Sequence, residues 1–264
     1  MRTSKYKLTE ETINVNGITL YRIEALKDFS DVKKGDKGGF LEKEDNLSQE
    51  DNCWVYGNAK VYDDAVVYGN AEVFGDAVVC GHAKVCGHAK VCGHAVVGGN
   101  AKVCDYAKVR NEAKVRDDVV VCGNAKVYGN ARVYGNAEVY GHAKVCGNSG
   151  VCDNAKICDD AKVFDNAVVY DNAEISGNAQ VFGNAEICGD AVITNKSDYI
   201  LFKNWWSSGR FFTWTRSNNM WRVGCFYGTG EELIEKAYKD SEMSGEEYER
   251  VVKYVEAILK ANKL

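Results

Sequence analysis

Every sixth residue from Val55 to Ile193 is Val or Ile, and nothing is inserted along the run. From Ala59 to Ala191 the residue two places earlier is Ala, with Val119 and Ser149 as the only exceptions. A period of six fits neither an α-helix nor a heptad seam. Within a hexad such as Ala59-Lys60-Val61-Tyr62, small, charged, branched and aromatic residues alternate as they do along a half-buried strand. The two residues left over are almost always Gly-Asn, Gly-Asp, Gly-His, Asp-Asn or Asp-Asp. These types tolerate left-handed backbone angles or bond their own main chain, so they mark a corner. A four-residue strand cannot bury its inner face alone, so the hexads must stack, about 4.7–4.9 Å apart.

The run resembles the hexapeptide-repeat, left-handed parallel β-helix family. That resemblance implies three hexads per triangular coil and about eight coils. One departure is plain. The common motif places Gly, Ala, Glu or Asp directly after the aliphatic residue, whereas this chain places Tyr, Cys or Phe there and delays Gly by one. This variant is similar to hexapeptide proteins of gut bacteria and their phages, some labelled acetyltransferase-like or polymer-forming. The fold expected is mainly β: a left-handed parallel β-helix over 55–194, an N-terminal hairpin and β cap over 1–54, and a small C-terminal α+β domain over 195–264.

At the N-terminus, Thr12 to Leu20 reads as a hairpin about a type I′ Asn16-Gly17 turn. A degenerate six-residue echo follows, with Leu41, Leu47 and Cys53 in the column that continues to Ala59. Such a segment suits a cap, because the open strand edges of a β-helix invite polymerisation. Beyond Ile193, three aromatic strands are expected, around 199–202, 210–215 and 221–227. Two helices follow, announced by capping boxes at Thr229 with Glu232 and at Ser244 with Glu247. The stripe Tyr248, Val251, Val255, Ile258 and Leu259 is their core face.

The formal net charge of −5 does not by itself suggest nucleic acid as a partner, although nucleic acid is not excluded. No apolar stretch approaches the roughly 18–20 residues of a membrane span, and Met1 to Lys7 lacks the hydrophobic region of a signal peptide. A cytoplasmic protein with no membrane contact is expected. Most of the 11 Cys follow a Val, where they should point outward, and no CxxC occurs, so a reducing compartment fits better than a disulfide framework.

If three hexads close a coil, residues 18 apart share a column. One face then gathers Lys90, Lys108, Lys126, Lys144 and Lys162, beside a second column that includes Arg110, Tyr128 and Phe164. This face is expected to bind an anionic ligand or partner, with the aromatics available for stacking. The plainer reading is a solvated surface. A second face carries Val78, Val96 and Val168 and suggests side-by-side packing into a homo-oligomer, a trimer by resemblance to the family.

His82, His88 and His94 fall at three different corners, too far apart to share one ion, so no metal site and no cofactor are expected. Cys86, Cys104 and Cys122 occupy adjacent rungs; drift among Tyr, Cys and Phe is the simpler account, and a soft-metal or redox ladder the alternative. The C-terminal segment offers another binding surface in Trp205, Trp206, Arg210, Trp214, Arg216 and Trp221, which equally could form a small core.

The leading function is a non-catalytic scaffold or binding protein. An acyltransferase-like enzyme is the first alternative, with only His142 placed to imitate the family's base. A nucleotide-sequestering protein is the second.

Overall fold

A computed structural model describes residues 4–206 and 208–261. Met1, Arg2 and Thr3, the start of the stretch read above for a signal peptide, lie outside the described residues. The hexads form a parallel β-solenoid. Each contributes a two-residue strand, such as Lys60–Val61 or Val66–Val67, paired in register with the strands 18 residues away. Three flat sheets result. The Val/Ile and Ala columns point inward and are fully buried from Val55 to Ile193, which is why the period tolerates no insertion. Backbone groups are met between rungs: Lys108 N–H donates to Ala125 O at 2.9 Å and Arg110 N–H to Val127 O at 3.0 Å.

Corners depend on one left-handed residue each. Gly99 (φ +65°) shows why: a Cβ there would lie 2.5 Å from the Asp117 nitrogen. Where Asp takes this position, its carboxylate turns to the next rung and accepts the N–H of the corner residue stacked on it. Asp117 (φ +62°) accepts from Gly135 at 3.1 Å, and Asp159 and Asp165 accept alike from Gly177 and Gly183. Asp117→Ala should therefore lower stability by about 2 kcal/mol, from the lost charge-assisted hydrogen bond, which is also what lets Asp tolerate the left-handed conformation. Asp117→Asn should be nearly neutral; urea midpoints of the two variants check this.

To the eight coils of regular hexads the structure adds one more, so the solenoid has about nine. β1 (Tyr6–Val15) and β2 (Ile18–Ala25) form a hairpin about Asn16 and Gly17, both left-handed. β3 (Lys37–Leu41) pairs antiparallel with β2 but parallel with Lys60–Val61. Leu47 bridges to Val67, and Cys53 N–H donates to Gly69 O, which completes the turn. Leu41, Leu47 and Cys53 all point inward, but only Cys53 keeps the expected register: Leu41 and Leu47 pair with Val61 and Val67 and so stand in the Val column, two residues off, because the cap is not built of regular hexads. Tyr6 and Phe29 pack edge-on against Trp54 and close the end of the core. Lys5, almost wholly buried here, donates to the carbonyls of Glu50 and Cys53.

The other end is closed by four antiparallel strands, Tyr199–Lys203, Phe211–Thr215, Met220–Val223 and Phe226–Gly228. The sequence suggested three. The segment 221–227 breaks at Gly224, whose positive φ of 57° turns the chain back on itself. α1 (Gly230–Asp240) starts at the expected Thr229–Glu232 capping box. α2 (Glu242–Ala261) starts two residues before Ser244, and the hydroxyl that accepts a first-turn N–H belongs to Ser241. The box Ser244–Glu247 therefore lies inside the helix. Its stripe packs on the sheet around Phe212, Trp214, Trp221 and Val223, a second core separate from that of the solenoid.

The junction joins cap to coil by filling edge donors. Glu186 N–H donates to Thr213 Oγ1 and Val192 N–H to Ser217 Oγ. Asp198 accepts from the N–H groups of Thr194 and Asn195 and faces Arg216. Burial works to raise its carboxyl's pKa, but these hydrogen bonds and the guanidinium outweigh it and hold the pKa below the usual value. A depressed folded pKa stabilises above the unfolded Asp value, near 3.9, and that stability is lost as pH falls through the folded value. Asp198→Asn should thus reduce the difference in urea midpoint between pH 6 and pH 2.

Candidate functional site

The register brings the five lysines together. Lys90, Lys108, Lys126, Lys144 and Lys162 lie on consecutive paired strands of one sheet. At the strand spacing their backbones span about 19 Å. Glu72, one rung before Lys90, accepts from its ammonium at 2.7 Å. Among the described residues, no carboxylate pairs with the other four. Like charges about 5 Å apart repel by up to about 1 kcal/mol per pair in water, a cost that an anion laid along the column would remove.

The lysines form one side of an open trough of about 890 Å³. Its other side is a column of corner residues: Asn70, His88, Tyr106, Asn124, His142, Asp160 and Asn178. Sequence reasoning sorted only strand positions into columns and missed this wall. The same spacing of 18, applied to the second corner residue, would have found it. At the other two corners that position becomes a ladder of amides satisfying one another from Asn130 and Asn136 onward, as in Asn130 to Asn148 to Asn166 and in Asn136 to Asn154 to Asn172, while the rungs before it carry His94 and Glu112 at one corner and His82 at the other. Along the trough the ladder stops after Asn52, Asn70 and His88. His88 then stacks on Tyr106, centroids 5.0 Å apart and planes within 2°. The trough therefore sets imidazole and phenol groups opposite its ammonium groups.

Arg110, Tyr128 and Phe164 sit across the lysine column from the trough rather than in its lining. Arg110 lies over the Tyr128 ring at 4.9 Å, and Phe164 stacks on Phe182 at 5.4 Å. Each aromatic already has a partner within its own column.

The C-terminal group does not form one surface. Trp214 and Trp221 are core residues, and Trp206 packs against Phe212 and Tyr248. Arg216 donates to Ser197 O and pairs with Asp198, at the junction. Arg210 lies against Gly224. Trp205 alone of these tryptophans is open to solvent, at 82 % exposure. A sheet this small must fill its core with large side chains, which accounts for the concentration of Trp.

His82 and His94 face Asp64 and Asp76 at their separate corners. The outward cysteines are more sheltered than a surface position implies. Cys86, Cys104, Cys158 and Cys188 are buried, because a short thiol is covered by neighbours only one rung away.

The family model described as "YdcK Beta solenoid repeat" matches residues 125–141, a stretch that includes Lys126 and the corner before His142. The chain carries a β-solenoid repeat. No curated protein matches it. No helix among the described residues is long and apolar enough to cross a membrane.

Proposed function

We propose that this protein is a non-catalytic binding protein whose lysine trough holds a linear, phosphate-bearing polyanion. The observation that carries this reading is the in-register ladder of five lysines, four without an ion partner among the described residues, along one continuous trough. Phosphates spaced along a flexible chain suit cations repeated at a fixed interval, and His88 with Tyr106 supplies a flat surface for a base. The finer kinship belongs to this proposal: a left-handed hexapeptide protein of the kind found in gut bacteria and their phages, cytoplasmic, and assembled as a homo-oligomer through the face bearing Val78 and Val96.

Fluorescence titration with linear polyphosphate and with single-stranded oligonucleotides, at 50 and 200 mM salt, tests the reading and separates the two sources of phosphate. Saturable binding that weakens steeply with salt supports it; no binding of either at 50 mM salt overturns it. An acyltransferase-like reading is favoured by one observation, the place of His142 in the trough at the corner that leads into the Lys144 strand. Among the described residues no carboxylate pairs with that imidazole to orient it as a base. Turnover of acetyl-CoA by the purified protein decides between the two.

A further inference from the structure

Across the corner from the trough, the second outward column of the neighbouring sheet is rich in thiols. Lys102–Val103 and Val120–Val121 pair in register, so the residues that follow, Cys104 and Cys122, stack on adjacent rungs. Asp105, next in sequence to Cys104, holds the corner in a left-handed conformation (φ +59°). Its Oδ2 accepts the Gly123 N–H at 3.0 Å, which fixes the carboxylate beside the two sulfurs. The ligating atoms of Cys104, Asp105 and Cys122 all lie within 4.8 Å of one another. Cys86 stands one rung earlier in the same column and, like Cys104, is buried.

We propose that Cys104, Cys122 and Asp105 form a binding site for a thiophilic divalent cation of the zinc class. Two thiolates and a carboxylate are ligands that Zn²⁺ accepts, at about 2.3 Å from sulfur and about 2.0–2.2 Å from oxygen. Tetrahedral geometry then sets the two sulfurs about 3.8 Å apart. The ligating atoms, already within 4.8 Å of one another, are near that spacing. A disulfide suits the pair less well. It needs Cβ atoms about 3.5–4.5 Å apart, and parallel in-register rungs keep equivalent atoms near 4.8 Å.

The Asp105 carboxylate sets a negative charge beside both sulfurs. Glu138, on the rung after Val120, adds to the negative surroundings of Cys122. A bound dication would reverse this balance and favour both thiolates, with release of their protons. The site is independent of the polyanion reading, since phosphate binding by the lysines needs none of these three residues.

The test uses the full chain, reduced and stripped with a chelator. Cd²⁺ titration should give a thiolate-to-metal charge-transfer band that saturates at one equivalent, and Zn²⁺ should displace it. Cys104→Ser and Cys122→Ser should each weaken Zn²⁺ binding by at least about 100-fold, measured by competition with a chromophoric chelator. Asp105→Asn should weaken it about 10–100-fold with the corner intact, since Asn111 adopts the same left-handed conformation (φ +63°). Cys152→Ser, on another face, should change nothing, and circular dichroism should show every variant folded. Absence of the Cd²⁺ band, or its persistence in a folded Cys104→Ser/Cys122→Ser double variant, overturns the proposal.

Discussion

Lys108→Glu combined with Lys144→Glu is expected to reduce polyanion affinity on the order of 100-fold at 50 mM salt while leaving the fold intact. Each lysine that neutralises a phosphate of a single strand contributes about 0.7 to the slope of log affinity against log salt. Five give a slope of about −3.5, so the native protein should lose about 100-fold in affinity between 50 and 200 mM. Removing two contacts should bring the slope to about −2. The two added carboxylates then repel the remaining phosphates. These positions are chosen for the fold's sake, because carboxylates there alternate in sign with the retained Lys90, Lys126 and Lys162. Every neighbouring pair in the column becomes attractive, as Glu72 and Lys90 already are at 2.7 Å. Cross-strand pairs of opposite charge contribute roughly 0.2–1 kcal/mol each, so the melting temperature should hold or rise. Binding lost with stability kept would identify the lysines as the contact. Binding unchanged would reduce the column to a solvated surface.

The largest effect on stability is expected from Val127→Asp, which should cost about 4 kcal/mol or more and unfold the central coils. Val127 is fully buried among the Val and Ala columns of the axial core, so a carboxylate there would stay unpaired or take up a proton at raised pKa. Because every rung is braced only by the rungs above and below, the damage should reach the neighbouring strands at Val109 and Val145. Hydrogen exchange should show lost protection centred there and fading toward both caps. Val127→Ile, by contrast, should cost less than about 1.5 kcal/mol, since the equivalent inward positions of the other two sheets already accept Ile157, Ile175, Ile187 and Ile193. Comparable destabilisation by both substitutions would show that volume rather than polarity governs this core.

The solenoid and the lysine column were legible because both follow from a strict period. Once residues 18 apart share a rung position, Lys108 must stand between Lys90 and Lys126. The wall of the trough was less legible. His88, Tyr106 and His142 occupy corner positions that local pattern assigns only to turn-making, and their shared lining emerges when corners are stacked as strands are. The ends were the least legible. Gly224 splits what reads as one strand, and Ser241 rather than Ser244 begins the second helix, because single backbone conformations decide such boundaries and periodicity does not record them. The Trp and Arg cluster dispersed for a related reason. Residues close in sequence part in space, with Trp214 turned inward, Trp205 outward and Arg216 toward the junction.

By itself the sequence determined the repeat, its inward columns, its left-handed corners and the alignment of like residues along each face, since all of these are consequences of a six-residue period. Only the tertiary structure decided which columns become neighbours across a corner. The turn of each corner aims His88 and Tyr106 at the lysines, and the Asp105 carboxylate at Cys104 and Cys122. The physical reason is that a period fixes position along the axis, whereas contact across it depends on how each corner turns and where its side chain then points.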